Sequence, residues 1–190
     1  MIGFRISMDS RAAIRRGALV VAVALLSIEE SCKDFGEDPA VVPKMSPDEA
    51  LFQQITLVEP FTSYILFPNV DSIASGTLNG STAHQPLVRV SVNATAFNAL
   101  QNGVLPAGSR FPDGSTVMKQ IISNGETILY AVIHKDNANQ FSANGWLWAE
   151  YFPDGTPAIS VTRGGSGCVG CHSREQGPQH DFVRTFERQR

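Results

Sequence analysis

Hydrophobic and polar positions follow a helical period in one segment and alternate strictly in another. The segment SPDEALFQQITLV, residues 46–58, carries apolar residues at helical spacing, a proline at its first position and a capping box from Ser46 to Glu49. It predicts an amphipathic helix that packs through one face. The segment LVRVSVN, residues 87–93, alternates between apolar and polar residues and predicts a strand with one buried face.

Further elements follow along the chain. Asn93 is a candidate N-cap for a short helix, ATAFNALQN, which Gly103 ends. Three segments rich in β-branched and aromatic residues then predict strands, namely STVMKQII, ETILYAVIH and GWLWAEYF. Consecutive strands without intervening helices indicate an antiparallel sheet, so we expect an α+β fold in which a few helices pack on that sheet. The small-residue run DSIASGTLNGS, residues 71–81, predicts a loop.

The beginning of the chain has the layout of an export signal. Arginines at positions 5, 11, 15 and 16 precede the apolar run GALVVAVALLS, which is too short to span a bilayer permanently. We therefore expect residues 1–31 to be an export signal, residues 32–45 a flexible tether and residues 46–190 one soluble domain. The expected location is the periplasm or the outer cell envelope.

Cys32 lies just past the apolar run, where a bacterial lipoprotein is cleaved and acylated. The residues before it, Glu29, Glu30 and Ser31, depart from the usual Leu, small, small, Cys pattern. We expect Cys32 to carry a lipid that tethers the domain to a membrane. The alternative is a free thiol beyond an ordinary cleavage site.

The charge balance argues against nucleic acid as a partner. The chain has 15 basic and 18 acidic residues, and removing residues 1–31 takes away four and three of them, which leaves 11 and 15 and a formal charge of −4. Proteins that bind nucleic acid usually concentrate basic residues.

The sequence CVGCH, residues 168–172, is the strongest chemical signal in the chain. Two thiols at this spacing can reach the two vinyl groups of one porphyrin, and a histidine directly behind the second can ligate the iron. A zinc site needs two further ligands, and the chain has no second CxxC or HxxxH. A thiol–disulfide exchanger expects a βαβ context, which is missing. We predict one covalent haem c, with Cys168 and Cys171 as attachment residues and His172 as the proximal iron ligand.

The sixth iron position is predicted to be open or exchangeable. No methionine follows His172, although electron carriers of the common small cytochrome c class place one far downstream of CxxCH. Four residues remain as alternative sixth ligands that would favour electron transfer, namely His84, Met118, His134 and His180.

Several segments resemble the cytochrome P-460 family, which includes the β-type cytochromes c′. These segments are FPDGSTVMK, ETILYAVIHKD, GWLWAEYF and the ending CVGCHSREQGPQHDFVRTF, and the similarity runs from about Ser46 to Phe186. The family's usual ending reads DxVFT, so Arg184 is a departure. The resemblance implies an antiparallel sheet with packed helices, one five-coordinate haem and a haem motif late in the chain.

The resemblance also implies two functions. In P-460 proteins a lysine bonds to the porphyrin edge and the enzyme oxidises hydroxylamine with help from a distal carboxylate; Lys119 falls at the lysine position, and Ala131 stands where the carboxylate is expected. In the β-type cytochromes c′ a phenylalanine-rich cap covers bound nitric oxide or carbon monoxide. Phe61, Phe67 and Phe97 are candidates for such a cap, and ordinary core packing is their alternative role.

Lys119 has an alternative interpretation too, because its apolar strand neighbours allow it to snorkel at a sheet edge. The expected partners are a small diatomic or nitrogenous ligand and a redox partner cytochrome, and a homodimer is a candidate assembly. Trp146 and Trp148 share a strand face and are predicted to pack in the core.

Overall fold

A computed structural model describes residues 44–190 of the protein, and the predicted export signal, Cys32 and most of the predicted tether lie outside the described residues. The described part contains one antiparallel sheet in the strand order β1-β3-β4-β5-β6-β7, with β2 also paired to β3. The strands are β1 (Ile65–Leu66), β2 (Ala74–Ser75), β3 (Leu87–Val92), β4 (Thr116–Ser123), β5 (Glu126–Lys135), β6 (Trp146–Tyr151) and β7 (Pro157–Ile159). The α+β prediction is confirmed.

Short helices accompany this sheet. The α-helices are α1 (Pro47–Gln53), α2 (Ala94–Asn98) and α3 (Val169–His172), and α1 continues as a π-helical turn, Gln54–Val58. Four 3₁₀ segments complete the set: Phe61–Ser63, Val161–Arg163, Pro178–His180 and Arg184–Arg188. The predicted capping box is present, since the Ser46 hydroxyl accepts from the Glu49 N–H and the Glu49 carboxylate accepts from the Ser46 N–H. Asn93 caps α2 as predicted.

Two sequence predictions need correction. The helix predicted over 94–102 is shorter, because Gln101 and Val104 pair as an isolated bridge around Asn102 and Gly103, both of which have positive φ. The segment predicted as a loop over 71–81 contains β2, which adds Ala74 and Ser75 to the edge of β3.

The two faces of the sheet support different cores. On one face, Leu51 and Ile55 of the first helix pack over alternate residues of β4, β5 and β6: Met118, Val132, Leu147, Ala149 and Tyr151. The other face carries the second set of alternate residues, and the C-terminal segment with Val183 and Phe186 covers part of it. Trp146 and Trp148 are both buried on this second face, as predicted. Among residues 44–190, no helix has the length and apolar character needed to cross a membrane.

Candidate functional site

A cavity of about 230 Å³ lies on the face of the sheet opposite α1. Strands β4, β5 and β6 form one wall, and the loop before β3 and the chain after β7 form the others. Four residues that the sequence nominated all line it: Lys119, Cys168, Cys171 and His172. The fold therefore brings together a strand lysine and a distant CxxCH motif.

The two cysteines lie at the short helix α3. Cys168 precedes this helix and Cys171 lies within it, and both are free thiols. Burial raises the pKa of the Cys168 thiol to about 11, with the Glu150 carboxylate as the next cause. Gly165 lets the chain approach the sheet here, because a Cβ at this position would lie 2.8 Å from Trp148 Cδ1 and 2.6 Å from Val169 Cγ2.

His172 is oriented as a ligand by its own hydrogen bond. Its Nδ1 donates to the Phe182 carbonyl oxygen at 2.7 Å, because a carbonyl can only accept. Burial, followed by the nearby Lys119 charge, lowers the pKa of His172 to about 3, so the ring is neutral and Nε2 keeps its lone pair. The Trp148 ring meets the imidazole edge to face, with centroids 4.8 Å apart. This arrangement is the one that an iron-ligating histidine requires.

A buried ion pair holds the Phe182 carbonyl in place. Asp181 and Phe182 have φ values of 51° and 66°, a backbone conformation that costs energy unless the surroundings fix it. The Asp181 carboxylate accepts from Lys135 Nζ at 2.9 and 3.1 Å and from the Phe111 N–H at 3.0 Å. Trp146 Nε1 donates to the Asp181 carbonyl at 2.8 Å. The sequence analysis did not assign this role to Lys135. The signal that could have indicated it is the position of this charged residue at the end of the largely apolar strand β5.

Lys119 lies in the centre of the sheet and not at an edge, because β4 pairs with β3 on one side and β5 on the other. Its exposed fraction is 9%, so the snorkelling alternative is wrong. Burial lowers the pKa of Lys119 to about 8, with the Arg188 guanidinium as the next cause. A substantial share of the amine is therefore neutral near physiological pH.

Two polar residues that the sequence did not single out as a pair complete the cavity. Lys119 Nζ lies 3.1 Å from His84 Nδ1, and His84 Nε2 lies 3.5 Å from Glu150 Oε1. Burial, followed by the Lys119 charge, lowers the pKa of His84. The sequence analysis assigned no role to Glu150, which lies within the aromatic segment GWLWAEYF. A charged residue in such a segment was the available signal that it lies in a polar site.

Arg184, the departure from the family's ending, is also buried at the cavity. Its guanidinium pairs with Glu187 at 2.7 Å and Glu175 at 2.9 Å, and donates to the Cys171 sulfur at 3.2 Å. The hydrogen bond to Glu187 is the main cause that raises the Arg184 pKa above its ordinary value. Arg188 donates to the backbone carbonyls of residues 75–77 and so ties the C-terminal segment to the loop beside the cavity.

The phenylalanines nominated as a distal cap do not line the cavity. Phe67 packs against Phe186 in the core, Phe61 packs against Tyr130 beside the core of the α1 face, and Phe97 is partly exposed on α2. Their positions correct the cap interpretation, because Phe61 and Phe67 pack in or beside a core and Phe97 lies at the surface. A phenylalanine count could not distinguish the two roles.

Three of the four alternative sixth ligands lie away from the cavity. Met118 is fully buried in the core beneath α1, and His134 lies beside Thr116 Oγ1 at 2.9 Å. His180 packs on Phe186 with ring centroids 4.6 Å apart. Of the four alternatives, His84 is the one that lines the cavity.

The residues of the cavity fit a c-type haem. Two free thiols, a neutral imidazole with an available Nε2 and apolar walls from Val117, Ile133 and Val183 meet in one space. Within residues 44–190, no group of three or more His, Cys, Asp or Glu side chains is arranged to hold a metal ion directly, so a zinc ligand set is not present there.

Comparison with known proteins agrees with this geometry. A search of the curated proteins found no match. The family model described as Cytochrome P460 matches residues 73–185, more than half of the chain, and this range contains the cavity strands and the CxxCH motif. The chain therefore belongs to the cytochrome P460 family and is a haem cytochrome of the c type.

Proposed function

We propose that the protein is a mono-haem cytochrome with an open distal site that binds or oxidises small nitrogen species, namely hydroxylamine or nitric oxide. Cys168 and Cys171 would hold the porphyrin through thioether bonds, and His172 would be the proximal ligand. The observation that supports this function is the presence of the buried Lys119 amine in the same cavity as the CxxCH motif. When bound, the haem supplies an iron that takes small ligands and exchanges electrons.

The protein's own groups prepare this site. The Phe182 carbonyl and the Trp148 ring fix the His172 imidazole, so that its Nε2 does not need to reorient on binding iron. The side chains of Val117, Ile133 and Val183 line the cavity and would exclude water from a porphyrin bound there. Exclusion of water strengthens every electrostatic interaction inside the cavity.

Lys119 is proposed to bond to the porphyrin edge. In the loaded protein this bond would join Lys119 Nζ to a ring carbon in place of one N–H and one C–H bond, so two protons and two electrons would have to leave. Hydrogen peroxide could accept both protons and both electrons and become two molecules of water. The neutral amine is the attacking form, and the lowered pKa of Lys119, about 8, supplies it.

Hydroxylamine oxidation to nitric oxide releases three protons and three electrons, and an external acceptor must take the electrons. We propose that a redox partner cytochrome is this acceptor. Export to the periplasm or outer envelope and a lipid anchor at Cys32 are part of the same proposal, because c-type haem is attached outside the cytoplasm and a tether would keep the protein near its partner.

Peptide mapping and turnover test this function together. A haem peptide containing both Cys168 and Lys119, with hydroxylamine-dependent reduction of an artificial acceptor, is the expected result for the wild type. Lys119→Met should lose both, and Lys44→Met, which changes an exposed lysine, should keep both.

Other outcomes assign the alternatives. A free Lys119 peptide at full yield, no turnover and ready carbon monoxide binding would replace the oxidation proposal with that of a gas-binding protein like the β-type cytochromes c′. Sharp low-spin bands in the reduced protein without added ligand would contradict the open site and favour electron transfer.

A further inference from the structure

Arg188 is a cation at the cavity that has no carboxylate partner among the described residues. It lines the cavity and lies partly buried at the end of the last 3₁₀ segment. None of the ion pairs formed within residues 44–190 includes it. Burial, followed by the nearby Arg184 charge, lowers the pKa of Arg188. Charges that are removed from water are normally paired, so a guanidinium in this position calls for an anion.

The Arg188 guanidinium also has hydrogen-bond donors to spare. Its Nη1 donates to the carbonyl oxygens of Ser75 and Thr77, and its Nη2 donates to that of Gly76 at 3.4 Å. These bonds use three of the five N–H groups of an arginine. The Nε atom is buried and has no hydrogen-bond partner among residues 44–190. The Nε–H and the second Nη2–H lie side by side on one edge of the planar group, which is the arrangement that binds both oxygens of a carboxylate.

The other Lys and Arg side chains of the cavity are engaged elsewhere. Arg184 pairs with Glu187 and Glu175, and Lys119 is assigned to the porphyrin edge. After burial, the Arg188 charge is the next cause that lowers the pKa of Lys119, so the guanidinium lies near the interior of the cavity. Arg188 is therefore the cavity cation that remains for an anionic group of a bound molecule.

We propose that Arg188 binds a propionate carboxylate of the haem through its Nε–H and its remaining Nη2–H. The two propionates are the anionic groups that a bound haem would bring into the cavity. Because Arg188 also holds the backbone of residues 75–77, the same side chain would fix the loop before β3 against the haem. The contact requires bound haem, which is part of the proposed function, but it does not require the oxidation of a nitrogen compound.

Two substitutions separate a propionate contact from a purely structural role. Arg188→Gln removes the positive charge and the paired donors, whereas Arg188→Lys keeps the charge and loses the paired donors. Arg190→Gln is the matched control, because the Arg190 side chain is 79% exposed and does not line the cavity.

The first readout is the propionate bending band in the resonance Raman spectrum of the ferrous holoprotein, whose frequency falls when the carboxylate loses a hydrogen bond. The band should lie at a lower frequency in both Arg188 variants than in the wild type, and it should be unchanged in Arg190→Gln. A band that does not move in Arg188→Gln, or that moves equally in Arg190→Gln, would overturn the proposal. If Arg188→Gln does not yield holoprotein, Arg188→Lys decides alone, and an unmoved band there would overturn it.

The second readout is the reduction potential of the haem. A positive charge beside the haem disfavours the ferric state, which carries one more positive charge than the ferrous state. The potential should therefore fall in Arg188→Gln by about 59 mV or more, which is a tenfold change in the equilibrium between the two states. It should stay near the wild-type value in Arg188→Lys. An equal fall in both variants would show that the charge of Arg188 does not act on the haem, and would overturn the proposal.

Hydroxylamine turnover separates this contact from the proposed function. Absence of turnover in the wild type, with the band and the potential behaving as expected, would reject the proposed oxidation and leave the propionate contact standing. Turnover in the wild type, with an unmoved band in Arg188→Gln, would reject the contact alone.

Discussion

Lys119 lies in an environment that its charged side chain does not favour. A buried amine at the centre of a sheet loses its hydration. Its hydrogen-bond partner is the neutral Nδ1 of His84 and not a carboxylate, so no negative charge at hydrogen-bond distance compensates for the lost water. The result is a lysine whose pKa is lowered from 10.5 to about 8. A stability cost of this kind is typical of a residue retained for chemistry.

The cost of Lys119 should be measurable as a pH dependence of stability in the haem-free variant Cys168→Ala/Cys171→Ala. Between about pH 8 and pH 10.5 the Lys119 amine is protonated in the unfolded chain and neutral in the folded chain. The free energy of unfolding therefore increases as the pH rises through this range. The gain should be about 3 kcal/mol. Lys119→Met in the same background should lack it and be more stable at neutral pH.

Urea denaturation of the two proteins at several pH values checks this prediction. The difference between their unfolding free energies isolates Lys119 from other groups that titrate in the same range. A difference that stays constant across the window would contradict the account of the buried amine.

At this scale the sequence predicted the residues that belong to a local pattern. The CxxCH spacing predicted Cys168, Cys171 and His172 as site residues and the family resemblance predicted Lys119, and all four line one cavity. The sequence named His84 as an alternative sixth ligand but did not predict that it lies beside Lys119 and Glu150, because that arrangement depends on the register of three strands and on the path of a loop far away in sequence. A lone histidine in a loop and a lone glutamate in an aromatic strand carry no spacing signal.

The C-terminal segment is attached to the sheet by the ion pair between Asp181 and Lys135, whose side chains are 2% and 3% exposed. This pair connects the end of β5 with the turn that presents the Phe182 carbonyl to His172. The ion pair fixes the position of this turn more than it adds to the net stability of the fold, because the attraction within a buried pair does little more than offset the cost of removing both charges from water.

Asp181→Asn should destabilise the protein by about 3–5 kcal/mol, because it leaves Lys135 charged and buried without its partner. Urea denaturation of the holoprotein measures the change, and the reduced spectrum should show altered proximal ligation. Asp71→Asn is the matched control, since it breaks a pair with Arg190 whose side chains are 48% and 79% exposed. That change should cost less than about 1 kcal/mol. Equal losses in the two variants would contradict the role of Asp181.

The sequence predicted helices and strands correctly where apolar residues recur at a regular spacing over several turns of a helix or several residues of a strand. The helix after Ser46 and the strands β3 to β6 had clear patterns and are present. β1 and β2 have two residues each and β7 has three, which is too short for any period to appear. Their existence depends on the neighbouring strand that each one pairs with.

At the scale of the whole molecule, the cavity exists because the chain after β7 returns across the sheet. Arg188 reaches the backbone of residues 75–77, and Asn79 contacts Glu175 and Glu187, so the C-terminal segment and the loop before β3 close on each other. The CxxCH motif lies on this returning segment, which places it against strands β4, β5 and β6. The contacts that close the cavity join residues between 96 and 113 positions apart in the chain, so no local sequence pattern predicts them.

The proposed anchor at Cys32 concerns the whole protein in its cell. Metabolic labelling with a palmitate analogue should mark the wild type, and the labelled protein should sediment with membranes. Cys32→Ala should remain unlabelled and be released from the membrane fraction, with its haem unchanged. Label on both proteins, or on neither, would reject the lipid anchor while leaving the export proposal open to a separate cleavage assay.

The central claim is that Cys168 and Cys171 attach one haem covalently. Intact mass spectrometry of the denatured protein, after expression with a c-type maturation system and extraction with acid acetone, tests it most directly. The account predicts the mass of the chain plus one haem for the wild type and the mass of the bare chain for Cys168→Ala/Cys171→Ala. A wild-type chain that loses all its haem to acid acetone and has the bare mass would contradict it.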